Sequence, residues 1–108
     1  MISISIAKDY SDAPGGRYKN EGENSGEEFR ERILKPKFDE AKKKDEKIEI
    51  DFDNCYGFAT SFLEEAFGGF VRTYRIKGLL NRLVIISNDD ATLYEKVKRY
   101  ITDAEGKL

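Results

Sequence analysis

Hydrophobic and polar residues alternate in two short stretches of the chain, which is the pattern of strands with one buried face. Residues 2–7, ISISIA, place three isoleucines on one side, and residues 47–53, KIEIDFD, repeat the alternation. A third stretch, residues 82–87, RLVIIS, is almost continuously apolar, as expected for a strand buried on both faces. These stretches predict three strands, separated by enough chain for helices to connect them.

A polar, glycine-rich segment from Asp9 to Gly26 follows the first strand. Its composition favours loop structure, and we predict a short fourth strand within it near Arg17 and Tyr18. A loop of this length in a small domain is often functional. The segment is therefore a candidate binding region as well as a connection.

Two longer stretches carry apolar residues at helical spacing. Ser25 and Glu28 have the arrangement of a capping box, which predicts that the first of these helices begins near Gly26. Pro36 is expected to kink this helix or to split it after Leu34, because proline lacks the amide donor and crowds the preceding turn. The first helix is therefore predicted to be bent or interrupted.

The second helical stretch has a wide apolar stripe between Phe62 and Tyr74, so we expect it to be deeply packed. Gly68 and Gly69 lie inside it at a cost of up to ~1 kcal/mol each relative to alanine. Close approach of a neighbouring element would offset that cost. A last helix follows the third strand and is predicted to bury one side between Leu93 and Ala104.

Strands and helices thus alternate along the chain, which implies parallel strands joined by right-handed crossovers. The length of 108 residues falls within the usual size of one domain. We therefore predict an α/β fold with residues 1–108 as a single domain. Its sheet is expected to be four-stranded, mostly parallel and mixed, with three to four helices.

Composition argues against several classes of function. Charged residues make up 37% of the chain but the net charge is −2, so we expect no nucleic acid and no membrane partner. The absence of histidine removes Ser-His-Asp and Cys-His catalysis and any histidine-based metal site. Cys55 is the only cysteine, and no basic neighbour activates it as a nucleophile. Without a disulfide, a signal peptide or a membrane span, we expect a cytoplasmic protein that uses no cofactor.

Several segments resemble a known family. The run from Ile50 to Gly69, IDFDNCYGFATSFLEEAFGG, is similar to the STAS domain, which is best known from bacterial anti-sigma factor antagonists. The resemblance is closer still to the STAS-like family of unknown function known as DUF4325. It rests on Gly16-Arg17 in the loop, on the SGEEFR start of the first long helix and on the motif TSFLEEAFGG. It extends from about Ile4 to Ile101 and implies a STAS-like fold.

The resemblance to the antagonists implies a regulatory role. In those proteins an anti-sigma kinase phosphorylates a serine at the start of a helix, and the phosphate breaks the complex. Ser61 falls at that serine and Thr60 at the residue before it, while Ala59 and Phe62 stand where the antagonists carry aspartate and glycine. The implied partner is an anti-sigma or histidine-kinase-type ATPase. The candidate partner-binding residues are Arg17, Ala59, Thr60, Ser61, Glu64 and Glu65.

The residues alone also give Ser61 a structural role. Ser61 and Glu64 have the arrangement of a second capping box, so the serine is predicted to be the N-cap of its helix. A phosphate there would meet free backbone amides and the positive end of the helix dipole. Glu64 and Glu65 lie in the same turn and are expected to repel it.

Two other interpretations remain open. Asp9, Asp51 and Asp53 lie at or near strand ends and, with Arg17, would suit a small nucleotide- or metal-binding protein or enzyme. We favour the interpretation that Asp51 and Asp53 lie on a solvated strand face and Asp9 in a loop, so we expect no metal site. An exposed edge strand at Ile2–Ile6 would instead suit an oligomerising structural subunit. We favour a protein-binding module without catalysis, monomeric or weakly homodimeric.

Overall fold

Three short parallel strands form the sheet in the computed structural model, which describes residues 1–108. They are β1 (Ile2–Ser5), β2 (Ile48–Asp51) and β3 (Leu83–Ile86). The strand order is β1-β2-β3, so β2 lies in the centre and pairs in parallel with both neighbours. The three predicted strands and their parallel arrangement are thereby confirmed.

The fourth strand predicted near Arg17 and Tyr18 is not formed, so the sheet is three-stranded and wholly parallel rather than mixed. The carbonyl oxygen of Gly16 accepts from the amide of Gly26 at 2.9 Å, and that of Arg17 accepts from the amide of Glu27 at 3.0 Å. These bonds tie the loop to the start of a helix. In a sheet, these carbonyl groups would accept hydrogen bonds from a neighbouring strand. The predicted strand does not form because they accept from the first amides of a helix instead.

Four helices accompany the sheet. The first, α1, is a single turn, Ile6–Asp9, and α4 spans Leu93–Glu105. The two long helices each consist of three consecutive segments. In α2 these are Gly26–Phe29, Arg30–Leu34 and Lys35–Lys44, and in α3 they are Thr60–Leu63, Glu64–Gly68 and Gly69–Tyr74. The middle segment of each long helix is π-helical, a wider turn that often marks functional sites.

Helix α2 begins where the sequence predicts. The hydroxyl oxygen of Ser25 accepts from the amide of Glu28 at 3.0 Å, although the carboxylate of Glu28 binds Arg32 and does not complete the capping box. Pro36 does not split the helix. The π-helical segment ends directly before the turn that contains Pro36, and this wider turn accommodates a residue without an amide donor. Of the two outcomes predicted for Pro36, a kink or a split, the split does not occur, but the helix changes from π-helical to α-helical directly after Leu34.

Apolar side chains from the sheet and the helices form a core of 23 buried residues. Phe29 of α2 and Phe67 of α3 meet there with ring centroids 6.3 Å apart, and Phe67 lies 5.8 Å from Phe52. The prediction that β3 is buried on both faces was wrong. Only Leu83 is buried, and the other three residues of β3 are partly exposed, as Glu49 and Asp51 of the central strand are. No helix has the length and the apolar run needed to cross a lipid bilayer.

Candidate functional site

The start of α3 lies in an accessible position at the end of the connection from β2. Helix α3 begins at Thr60, and Ala59 occupies the N-cap position with an extended backbone. The amide of Leu63 donates to the carbonyl oxygen of Ala59 at 3.2 Å, so helical bonding starts two residues before Ser61. Ser61 therefore lies in the first turn, and its predicted N-cap role was wrong. Thr60 is exposed and Ser61 is partly exposed.

Arg17 from the long loop reaches the same helix. Its Nη1 donates to Oε1 of Glu64 at 2.6 Å and to Oε1 of Glu65 at 3.2 Å. Arg72, two turns further along α3, donates from Nη1 to Oε2 of Glu64 at 2.6 Å and from Nη2 to Oε1 of Glu64 at 2.9 Å. The structure thus brings together three of the predicted partner-binding residues, Arg17, Glu64 and Glu65, by joining them to one another.

A fifth residue, Arg30 of α2, completes what we call the arginine–glutamate cluster: Arg17, Arg30, Glu64, Glu65 and Arg72. Arg30 is only 5% exposed and Glu65 only 6%. Nη2 of Arg30 donates to Oε2 of Glu65 at 3.3 Å, while Nε of Arg30 has no hydrogen-bond partner. Both residues belong to the π-helical segments. This buried pair links the two long helices, and the sequence carried no sign of it because its members lie 35 positions apart.

The glycine pair in α3 makes room for the cluster. A Cβ atom on Gly69 would lie 2.8 Å from Oε2 of Glu65 and 3.4 Å from Nε of Arg30. A Cβ atom on Gly68 would collide with Oε2 of Glu64. Close approach was predicted here, and Arg30 does come from a neighbouring helix. The nearest atoms, however, belong to the glutamates of α3 itself.

The cluster changes the electrostatics expected around Ser61. Glu64 and Glu65 lie one turn after this serine, but three guanidinium groups contact their two carboxylates. Hydrogen bonds from Arg72 and then Arg17 lower the pKa of Glu64 below its usual value, against the opposing effect of burial. The negative charges of both carboxylates are therefore compensated by the arginines of the cluster. The repulsion that the sequence predicts between them and a phosphate is offset.

The aspartates at the end of β2 and directly after it stabilise loops. Oδ1 and Oδ2 of Asp53 accept from the amide of Asp89 at 2.8 Å and from Nδ2 of Asn88 at 2.9 Å. The backbone bond from Asp89 is the main reason why the pKa of Asp53 is lowered. Oδ1 of Asp51 accepts from the amide of Asp53 at 2.8 Å. The bonds of Asp53 join the ends of β2 and β3, and the bond of Asp51 shapes the turn after β2.

The third predicted carboxylate, Asp9, is used separately. Its Oδ2 accepts from the amide of Ser5 at 2.8 Å within the first turn after β1. No group of three or more acidic or cysteine side chains is placed to hold a metal ion. Arg17 makes its side-chain bonds to Glu64 and Glu65 rather than to an aspartate. The set proposed for nucleotide or metal binding, Asp51, Asp53 and Arg17, is therefore not assembled into one site.

The connection between β2 and α3 presents an exposed aromatic ring that sequence reasoning missed. Tyr56 is 89% exposed, although its amide is fixed by a 2.8 Å bond to the carbonyl oxygen of Asp12. The neighbouring Gly57 has a φ of 153°, in the region that favours glycine. A tyrosine beside such a glycine in a polar turn was the available signal for an outward-facing ring.

Cys55, in the same connection, is predicted to react slowly. Burial and then the charges of nearby aspartates raise the pKa of its thiol to about 11. Since the thiolate is the reactive form, we expect the folded protein at about pH 8 to react with Ellman's reagent roughly 100-fold more slowly than a free cysteine. The same protein unfolded in urea is the control. A native rate within about tenfold of the unfolded rate would contradict this assignment.

Comparison with known proteins places the chain in a family. The family model described as a STAS-like domain of unknown function (DUF4325) matches residues 25–93, from the Ser25 cap of α2 to the first residue of α4. No curated protein and no solved structure matches the chain. The matched segment spans more than half of the chain and contains both long helices, β2 and β3. This chain therefore belongs to the STAS-like family of unknown function, DUF4325.

Proposed function

We propose that this protein is a regulatory protein-binding module that works like a bacterial anti-sigma factor antagonist. Its partner is a histidine-kinase-type ATPase or an anti-sigma factor, and phosphorylation at Ser61 or Thr60 gates the contact. The observation that carries the proposal is the accessibility of the first turn of α3. Thr60 and Ala59 are exposed there, four residues or fewer from the exposed ring of Tyr56.

The local electrostatics support a switch at this position. A phosphate on the first turn of a helix is stabilised by free backbone amides and by the helix dipole. The nearest acids, Glu64 and Glu65, are already paired with arginines. A phosphoryl group would therefore change the surface charge at Ser61 without forcing the helix to unfold. Its effect would be on a partner that approaches this turn.

The extent of the module is part of the proposal. We infer that the domain covers residues 1–108, because β1 pairs with β2 along its whole length and Ile2, Ile4 and Ile101 are buried in the common core. We place it in the cytoplasm, where a single unpaired cysteine, Cys55, is stable. We expect a monomer or a weak homodimer, in which a second chain would pair with an edge strand of the sheet, either β1 or β3.

Substitution of Ser61 tests the switch. We expect Ser61→Glu to lower the amount of partner captured from native lysate by at least about tenfold. The reason is that a negative charge would replace the neutral hydroxyl that contacts the partner. Ser61→Ala should capture the partner as the wild type does. Thr73→Glu is the matched control, since Thr73 is an exposed hydroxyl residue of the same helix, away from its first turn. Quantitative mass spectrometry of the captured proteins measures the effect.

Two results would contradict the proposal. Equal capture by the wild type and Ser61→Glu would mean that the first turn of α3 does not gate the contact. The second concerns modification itself. Incubation of the wild type with ATP and the captured partner should add a phosphate to Ser61 or Thr60, as located by peptide fragmentation. Modification elsewhere, or none, would remove phosphorylation at these residues from the mechanism.

A further inference from the structure

A shallow cleft opens beside Tyr56, at the edge of the sheet where β2 and β3 end. Its volume is about 200 Å³. Phe52, Phe58 and Leu93 give it an apolar wall, and Asp89 and Asp90 also line it. Apolar and acidic side chains thus meet in one cleft beside an exposed ring. The cleft is therefore a second candidate surface, distinct from the arginine–glutamate cluster.

Aspartates that form no ion pair surround this cleft. Asp12, Asp51, Asp53 and Asp89 act together on the thiol of Cys55, which is one of the lining residues. None of these four aspartates, nor Asp90, forms an ion pair with lysine or arginine. Lys96 of α4 is near enough to affect Asp90, but it lies beyond ion-pair distance.

The contrast with the rest of the molecule is informative. In α2 and α3 most glutamates are paired, as in Glu28 with Arg32 and Glu40 with Lys44. The chain as a whole is nearly balanced, with 19 basic and 21 acidic residues. The unpaired aspartates are therefore concentrated at one edge of the sheet. Such a surface attracts a positively charged group and repels an anion.

We propose that the cleft between Tyr56, Phe58, Asp89 and Asp90 binds an arginine-bearing basic segment of a partner protein. A guanidinium group stacks on an exposed tyrosine ring and pairs with carboxylates, while the methylene groups of the same side chain cover an apolar wall. The exposed ring, the apolar wall and the acidic surroundings of the cleft match these three requirements. The inference rests on the proposed function, because it assigns the charge of the partner that the module binds.

Peptide titration followed by amide NMR tests the assignment. The probe is a hexapeptide of alternating arginine and leucine, acetylated and amidated at its ends. The control peptide has citrulline in place of arginine, which keeps the shape and removes the charge. We expect the arginine peptide to shift the amides of residues 55–58 and 89–93 and to bind at least about tenfold more tightly than the citrulline peptide.

Variants of the protein locate the contact. Tyr56→Ala and Asp12→Asn should each weaken binding of the arginine peptide by at least about threefold, since they remove a stacking surface and an unpaired charge. Tyr18→Ala and Asp103→Asn are matched controls, exposed residues outside the cleft, and should bind like the wild type. All four positions are exposed, and an otherwise unchanged amide spectrum shows that each variant is folded.

The proposal is overturned if both peptides bind equally, if the shifts fall outside the cleft, or if Tyr56→Ala binds like the wild type. These results are separable from a failure of the switch. If the arginine peptide binds and Ser61→Glu captures as much partner as the wild type does, the proposal for the cleft stands and the proposed gating at Ser61 fails. If Ser61→Glu loses the partner and the arginine peptide does not bind, the gating at Ser61 stands and the proposal for the cleft fails.

Discussion

Replacement of Glu65 by alanine is expected to lower the free energy of unfolding by about 3–5 kcal/mol, the usual result of removing one member of a buried ion pair. Glu65 provides the only hydrogen-bond acceptor that Arg30 has, and Nε of Arg30 is already unsatisfied. The variant would leave the charge of Arg30, a residue that is only 5% exposed, without a counter-charge. Urea denaturation followed by circular dichroism measures the loss.

Two further variants isolate the cause. Glu64→Ala should cost no more than about 1 kcal/mol, because Glu64 is partly exposed and Arg17 would keep its bond to Glu65. The double variant Arg30→Met with Glu65→Leu should recover most of the stability, since it leaves no buried charge unpaired. If Glu65→Ala proved no more damaging than Glu64→Ala, the buried pair would not be what joins α2 to α3.

Gly26→Ala is expected to destabilise the protein by about 2–3 kcal/mol, although alanine is the better helix former. A Cβ atom on Gly26 would lie 2.5 Å from the carbonyl oxygen of Phe62 and 3.2 Å from its Cα. These are backbone atoms of α3, so no rotation of a side chain relieves the overlap. The first turns of the two long helices would have to separate, and thermal unfolding would report the change.

Gly106→Ala is the matched control for this prediction. A Cβ atom on Gly106 would be 3.5 Å from the nearest atom, and the φ of this residue is −64°, which alanine adopts readily. The substitution should be neutral or should stabilise the protein by up to about 1 kcal/mol. A Gly26→Ala variant as stable as the Gly106→Ala variant would show that α2 and α3 do not approach each other as closely as the structure has them.

Local patterns were enough to locate most elements of the fold. The alternation around Ile50 and the apolar run from Leu83 predicted β2 and β3, and the hydroxyl of Ser25 marked the start of α2. These features depend on neighbouring residues along the chain, so periodicity and capping rules describe them. Predicting the exposure of β3 required knowing which of its residues the helices cover, and a single apolar run does not contain that information.

The candidate site was predicted only in part, because its residues are far apart in the sequence and only the tertiary structure brings them together. Arg17, Glu64 and Glu65 were expected to contact a partner, and the sequence offered no reason to place the arginine on the glutamates 47 and 48 positions away. The start of α3 was misplaced for a local reason. The capping-box pattern at Ser61 and Glu64 was present, but the extended backbone of Ala59 begins the helix earlier. Tyr56 and its cleft were missed altogether.

The packing of the two long helices restricts how the length of this chain can vary. Each residue added to or removed from a helix turns everything beyond it by about 100°. A one-residue insertion after Lys35, in the α-helical part of α2, would rotate Phe38 and Ala41 away from the core while Arg30 stays paired with Glu65. Insertions and deletions that preserve the protein should therefore accumulate in the loop before Ser25, whereas the spacing within α2 and α3 is fixed by this packing.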